Sequence, residues 1–104
     1  MKRYVLHPEV YGDLEEIHGY IEPFNPAAAD RILDEFLAAF DLLAQFPHQG
    51  HFRPDLTSKP LRFKVQANYL IAYAYQQTPL WMVAVVDGRR SPRLLASILR
   101  DREQ

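Results

Sequence analysis

The amino-acid sequence predicts an α+β fold with the order β-α-α-β-β-β-α, in which an antiparallel helical hairpin packs on a twisted antiparallel sheet. The first supporting observation is residues 61–87, where three runs rich in β-branched and aromatic residues are separated by Ala67-Asn68 and by residues 76–79. The second is a pair of stretches before this meander whose apolar residues recur at helical spacing. The length suits a single domain spanning residues 1–104.

The N-terminal part predicts a strand followed by a helix. Residues 2–7 are strand-like, and Pro8 suits the first turn of a helix, where its missing N–H removes no bond. The apolar stripe of this helix advances in steps of four, three and four residues, through Val10, Leu14, Ile17 and Ile21. Its other residues, including Asp13, are expected on the surface. Pro23 ends the helix.

A second, longer helix is predicted from Asn25 and Pro26, which form a cap and a first-turn proline, to about Phe46. Its stripe is Ile32, Phe36, Phe40 and Leu43. The short connection makes the two helices an antiparallel hairpin. Residues 47–60 contain three prolines and a glycine and are read as an ordered loop.

The meander separates its side chains between the two faces of the sheet. In the first run, the residues expected to face the core are Leu61, Phe63 and Val65, and those expected to face outward are Arg62, Lys64 and Gln66. The second and third runs are apolar on both sides, so both strands are expected to be covered on both faces. After them, Ser91-Pro92 predicts the start of a last helix, whose buried side is Leu94, Leu95, Ile98 and Leu99.

Composition narrows the function classes. The chain has no cysteine, and its four histidines lack ligand spacing, so no metal and no cofactor is predicted. No signal-peptide core and no apolar run of about 20 residues is present, which favours a cytoplasmic protein without membrane contact. Charge is uneven: residues 1–50 hold three basic and nine acidic residues, whereas residues 51–104 hold nine basic and four acidic residues. An anionic partner would therefore meet the C-terminal half.

Five cations are the candidate site residues, namely Arg53, Arg62, Lys64, Arg89 and Arg90. They are predicted to meet at one edge of the sheet, where arginine suits bidentate contact with phosphate or carboxylate. An alternative is that Arg62 forms a structural ion pair with Asp55 or Asp87. Metal-independent RNA cleavage would also need a proton-transfer pair. The possible members are His48, His51, Asp87, Tyr73 and Tyr75, and no spacing selects among them. The tyrosines and Trp81 are better explained as core residues.

Several segments together resemble the RelE/ParE superfamily of bacterial toxins. In chain order they are Asp13-Leu14-Glu15-Glu16-Ile17, Asn25-Pro26-Ala27-Ala28-Ala29, Phe46-Pro47 with Gly50, Arg53-Pro54-Asp55-Leu56, Leu61-Arg62, Tyr69-Leu70-Ile71-Ala72-Tyr73 and Val85-Val86-Asp87-Gly88-Arg89-Arg90. The resemblance implies the same fold, a helical hairpin on a twisted antiparallel sheet with a further C-terminal element.

The loop pattern with Arg53-Pro54-Asp55-Leu56 is closest to the ParE-like, plasmid-stabilisation branch. That branch implies a toxin of a type II toxin–antitoxin module that binds and poisons DNA gyrase, and a hetero-oligomer with an antitoxin whose acidic, partly disordered segment folds on binding. The chain departs from the branch at Asp87, where relatives often carry histidine.

Two alternatives remain. One is a RelE-like endonuclease that cleaves mRNA on the ribosome, with Arg62, Lys64 and Arg89 stabilising the transition state. The other is a decayed toxin that retains only antitoxin binding.

Overall fold

The computed structural model describes residues 3–102, and its seven elements follow the predicted order. They are β1 (Tyr4–Leu6), α1 (Pro8–Ile21), α2 (Pro26–Gln45), β2 (Arg62–Gln66), β3 (Tyr69–Ala74), β4 (Leu80–Asp87) and α3 (Pro92–Asp101). Lys2, predicted to begin the first strand, lies outside the described residues. Within residues 3–102, no helix is long and apolar enough to cross a membrane.

Side-chain caps fix the start of each helix. Asn25 accepts a hydrogen bond from the backbone N–H of Ala28 at 3.0 Å, and Ser91 accepts one from Leu94 at 3.2 Å, as predicted. His7 caps α1 through Nδ1, which accepts from the backbone N–H of Glu9 at 3.1 Å. A proline follows each cap, where its fixed φ favours the first turn.

The sheet has the strand order β1-β4-β3-β2. The predicted antiparallel meander is confirmed, since β2 pairs with β3 and β3 with β4 in antiparallel fashion. The first strand adds a parallel edge, with Val5 opposite Trp81, so the sheet is mixed. Because β2 and β4 both run antiparallel to β3 and β1 runs parallel to β4, strands β1, β2 and β4 run in the same direction.

Two apolar layers sandwich the sheet. The helical hairpin covers one face with a core that includes Val10, Phe36, Phe40, Ile71, Tyr73 and Met82. The other face packs under α3 and the loop before β2, with a core that includes Leu56, Phe63, Leu70, Ala84, Leu95 and Leu99. Strand β3 contributes to both cores, and its alternation places successive residues on opposite faces, as predicted.

Strand β2 departs from the predicted division between core and solvent. Phe63 is buried beneath the α3 layer, but Val65 is 64% exposed. Arg62 and Lys64 lie on the hairpin face and are half-buried instead of fully solvated. The cause is incomplete cover on the α3 side, because α3 packs against β4, two strands away from β2.

Gly12 offers a simple test of the hairpin. A Cβ built on this residue, in the middle of α1, meets nothing within 4 Å. Glycine inside a helix is about 0.5–1 kcal/mol less favourable than alanine. We therefore expect Gly12→Ala to raise the free energy of unfolding by about that amount in urea denaturation. A lower free energy of unfolding would mean that this face of α1 is covered.

Candidate functional site

Strand register separates the five predicted cations into two groups. Arg62, at the start of β2, lies opposite Tyr73 of β3. The last residue of β2 lies opposite Tyr69, and Tyr69 in turn pairs with Asp87, which is close to Arg89 in the chain. Four residues of strand, about 13 Å, separate these two levels. The expectation that all five cations meet at one edge is therefore wrong. A sequence does not reveal the register that sets these levels.

At the first end, Arg62 contacts two aromatic rings, which pack edge-to-face against each other. Its guanidinium carbon lies 4.3 Å from the centroid of Phe52 and 4.6 Å from that of Tyr75. Nη1 donates a hydrogen bond to the carbonyl oxygen of Gly50 at 2.8 Å. The predicted ion pair of Arg62 with Asp55 or Asp87 does not form, because both carboxylates bind other arginines.

Tyr73 organises the loop that carries Phe52. Its hydroxyl accepts a hydrogen bond from the N–H of Gly50 at 2.9 Å and donates one to the carbonyl of Pro47 at 2.8 Å. Burial raises the pKa of Tyr73, and the bond from Gly50 acts in the opposite direction. The side chain belongs to the core, as predicted, and its hydroxyl is occupied by structural bonds.

Arg53 and Asp55 form a bidentate pair in the same loop. Nε and Nη2 of Arg53 donate to the two carboxylate oxygens at 2.9 and 2.8 Å. Hydrogen bonding to Arg53 lowers the pKa of Asp55, and the same bonds raise the pKa of Arg53. The charge of Arg53 is thus largely compensated within the chain.

The second end carries two further ion pairs beside a groove of about 370 Å³ between α1, β4 and α3. Arg89 binds Asp87 in bidentate fashion at 3.0 and 2.8 Å, and Arg90 lies 3.6 Å from Glu16 of α1. Exposed Tyr20 and half-buried Tyr69 also line the groove. Lys64 lies between the two ends, opposite Ile71.

Asp87 is the position at which the sequence departs from the ParE-like branch, and the pKa of its carboxyl group is lowered. Hydrogen bonds from the side chain and backbone of Arg89 lower the pKa of Asp87 from 3.8 to about 2. A lowered folded-state pKa stabilises the fold above the unfolded value, and this stabilisation is lost as the pH falls from about 4 to about 2. In an NMR titration we expect Arg89→Ala to raise the pKa of Asp87 from about 2 part of the way to its ordinary value, because the backbone N–H of residue 89 still donates to the carboxylate. An unchanged pKa of Asp87 in this variant would contradict the ion pair between Asp87 and Arg89.

One buried ion pair was missed from the sequence. Asp13 was expected on the surface, but its carboxylate receives two hydrogen bonds from the guanidinium of Arg102, the Nη2–Oδ1 bond measuring 2.7 Å. The two residues are 89 positions apart in the chain. The only sequence signal for this pair is the position of Asp13, which directly precedes Leu14 in the apolar stripe of α1.

The remaining candidates do not assemble into a proton-transfer site. His48 contacts the edge of the Tyr75 ring, 5.4 Å between centroids, while His51 pairs with Phe63 through its backbone. Within residues 3–102, no three histidine, cysteine or acidic side chains are grouped as metal ligands. What the arrangement can do is present paired arginines and aromatic rings to a macromolecular partner.

A helical hairpin on one face of a four-stranded mixed sheet, with a C-terminal helix on the other, defines a small RelE/ParE-like α+β domain. The chain belongs to the ParE toxin family of type II toxin–antitoxin systems: the family model, described as the ParE toxin of the parDE system, matches residues 4–92. The match covers the hairpin and all four strands and reaches the start of α3. A search of curated proteins gave no match.

Proposed function

We propose that this chain arrests growth by binding and poisoning DNA gyrase in the cytoplasm and that a cognate antitoxin neutralises it. The observation that carries the proposal is the ParE family match over residues 4–92. The predicted cations are the proposed target contacts, now as two groups. Arg53 and Arg62 form one, and Arg89 and Arg90 form the other, with Lys64 between them.

The ion pairs that these cations form within the chain favour a binding function over bond cleavage. Three of the five already hold carboxylates, in the pairs Arg53–Asp55, Arg89–Asp87 and Arg90–Glu16. Stabilising a phosphorane requires cations aimed together at the developing charge. Two groups separated by the length of β2 fit an extended protein contact better than a single reaction centre.

The hairpin supports the antitoxin part of the proposal. Its outer face has an apolar groove of about 520 Å³ between α1 and α2, in which Tyr11 and Leu37 are exposed. An apolar groove between two helices suits the apolar face of an amphipathic partner segment. A segment that folds on binding could bury it.

Induction in cells tests the proposal. Expression of the chain alone should stop growth and relax or linearise a reporter plasmid, and co-expression of the neighbouring reading frame should restore growth. Arg89→Ala with Arg90→Ala should weaken the effect, whereas the matched control Arg93→Ala with Arg100→Ala, on the exposed side of α3, should not.

Each contrary result has a definite meaning. Continued growth without the antitoxin would indicate that the chain is a decayed toxin that retains only antitoxin binding. Codon-linked cuts in primer extension on mRNA, with plasmid supercoiling unchanged, would assign the RelE-like alternative.

A further inference from the structure

Arg62 differs from four other arginines of the chain in what surrounds it. Arg53, Arg89, Arg90 and Arg102 each lie within 4 Å of a carboxylate. For Arg62 no such carboxylate occurs in residues 3–102, and its guanidinium contacts the rings of Phe52 and Tyr75, which pack edge-to-face against each other with centroids 5.6 Å apart. The cation is thus fixed in place without being neutralised.

Most of the hydrogen-bonding capacity of Arg62 is unused. A guanidinium offers five N–H donors, and among the described residues only the carbonyl of Gly50 accepts one, from Nη1. Nε is buried without a partner. Nη2 has no acceptor in the described part of the chain and is not among the buried unpartnered atoms, so it reaches solvent.

We propose that the outer edge of Arg62, beside the adjoining rings of Phe52 and Tyr75, is a receptor for one carboxylate of the antitoxin. This inference rests on the proposed function and identifies one contact between toxin and antitoxin. The contacts with both rings and the hydrogen bond to Gly50 hold the guanidinium in place, so little further ordering is needed when a carboxylate binds. Phe52 is 52% exposed and offers an apolar surface beside it. The recognised unit is therefore an acidic residue next to an aliphatic one.

Charge favours a peptide over nucleic acid at this position. Nucleic-acid binding draws its affinity from neutralising several phosphates along a track of cations. Arg53, in the same loop as Phe52, is already paired with Asp55. A single unpaired guanidinium edge beside two aromatic rings matches a single carboxylate. Binding there would also cover a proposed target contact, which gives the antitoxin a direct route to neutralisation.

The first experiment uses the unmodified, ¹⁵N-labelled chain. The Nε–Hε signal of Arg62 is assigned by its loss in Arg62→Lys, and then acetyl-Leu-Glu-Leu-amide, acetyl-Leu-Gln-Leu-amide and a uridine hexanucleotide are titrated separately. We expect the glutamate peptide to shift the Arg62 signal and to bind at least about tenfold more tightly than the glutamine peptide. No shift, equal binding of the two peptides, or tighter binding of the oligonucleotide would each overturn the assignment.

The second experiment measures the affinity of the neighbouring frame's product for the full chain. Arg62→Lys keeps the charge but loses the planar fork, so we expect binding to weaken at least about tenfold. Arg100→Lys, exposed on α3, should change it less than about twofold. Equal affinity for the wild type and Arg62→Lys overturns this assignment alone. No complex with the wild type overturns the proposed function and the assignment with it.

Discussion

Replacing Arg102 by alanine is expected to lower the free energy of unfolding by about 3–5 kcal/mol, because it leaves a buried carboxylate without its cation. The side chains of Arg102 and Asp13 are only 9% and 12% exposed. The hydrogen bonds that Arg102 donates to the Asp13 carboxylate also raise the pKa of Arg102. This pair links the C-terminal end of α3 to α1.

The same pair covers an open strand edge. Strand β1 ends at Leu6, opposite Met82, so the outer edge of β4 has no strand neighbour beyond that point. There the Asp13 carboxylate accepts a hydrogen bond from the N–H of Val85 at 2.9 Å, and Nη1 of Arg102 donates to the carbonyl of Val83 at 3.2 Å. Side chains replace the missing strand, which protects the edge against pairing with other chains.

Urea denaturation followed by circular dichroism measures the effect. Arg100→Ala is the matched control, since this arginine lies on the same helix and is exposed, and it should change the free energy of unfolding by no more than about 0.5 kcal/mol. A loss below about 1 kcal/mol for Arg102→Ala would show that the pair is not a buried structural link.

Gly50→Ala is expected to destabilise the loop before β2 and the fold with it. A Cβ at this position would lie 2.5 Å from the Tyr73 hydroxyl oxygen and 2.9 Å from the carbonyl oxygen of Phe63, and the latter is backbone that cannot rotate away. Overpacking of this kind costs about 1–3 kcal/mol. Displacing the two hydrogen bonds of the Tyr73 hydroxyl adds about 1 kcal/mol each.

A double-mutant cycle with Tyr73→Phe separates the clash from other effects. Removing the hydroxyl makes room for the alanine methyl group, so the double variant should be more stable than the sum of the single changes predicts. Recovery should be partial, because the Tyr73 ring carbon Cε1 also lies 2.9 Å from the new Cβ. Additive losses would mean that Gly50 and Tyr73 act independently.

Local patterns predicted the fold well. The caps Asn25 and Ser91, the stripe through Phe36 and Phe40 and the two-sided apolar character of β3 all rest on interactions within a few residues. The caps are recognised from the residue type at one position, and the stripe and the strand are recognised from the period of their apolar residues. For the same reason, the strand order within the meander followed from its short connections.

The site was harder to predict because its contacts are distant in sequence. Arg62 was assigned to solvent by alternation, but Phe52, from the loop before β2, and Tyr75, after β3, both contact its guanidinium. The pair of Asp13 and Arg102 joins two ends of the chain that no local pattern connects. Strand register also decided that Arg89 lies far from Arg62, and a one-residue change in register would alter every facing pair.

Purified components test most directly whether this ParE-family chain poisons DNA gyrase by binding it. Increasing amounts of the chain are added to DNA gyrase and relaxed plasmid, and both supercoiling and the yield of cleaved DNA trapped by denaturation are measured. We expect supercoiling to fall and cleaved DNA to accumulate, and we expect the purified antitoxin to reverse both effects. Full supercoiling with no trapped cleavage at saturating amounts of a folded chain would contradict it.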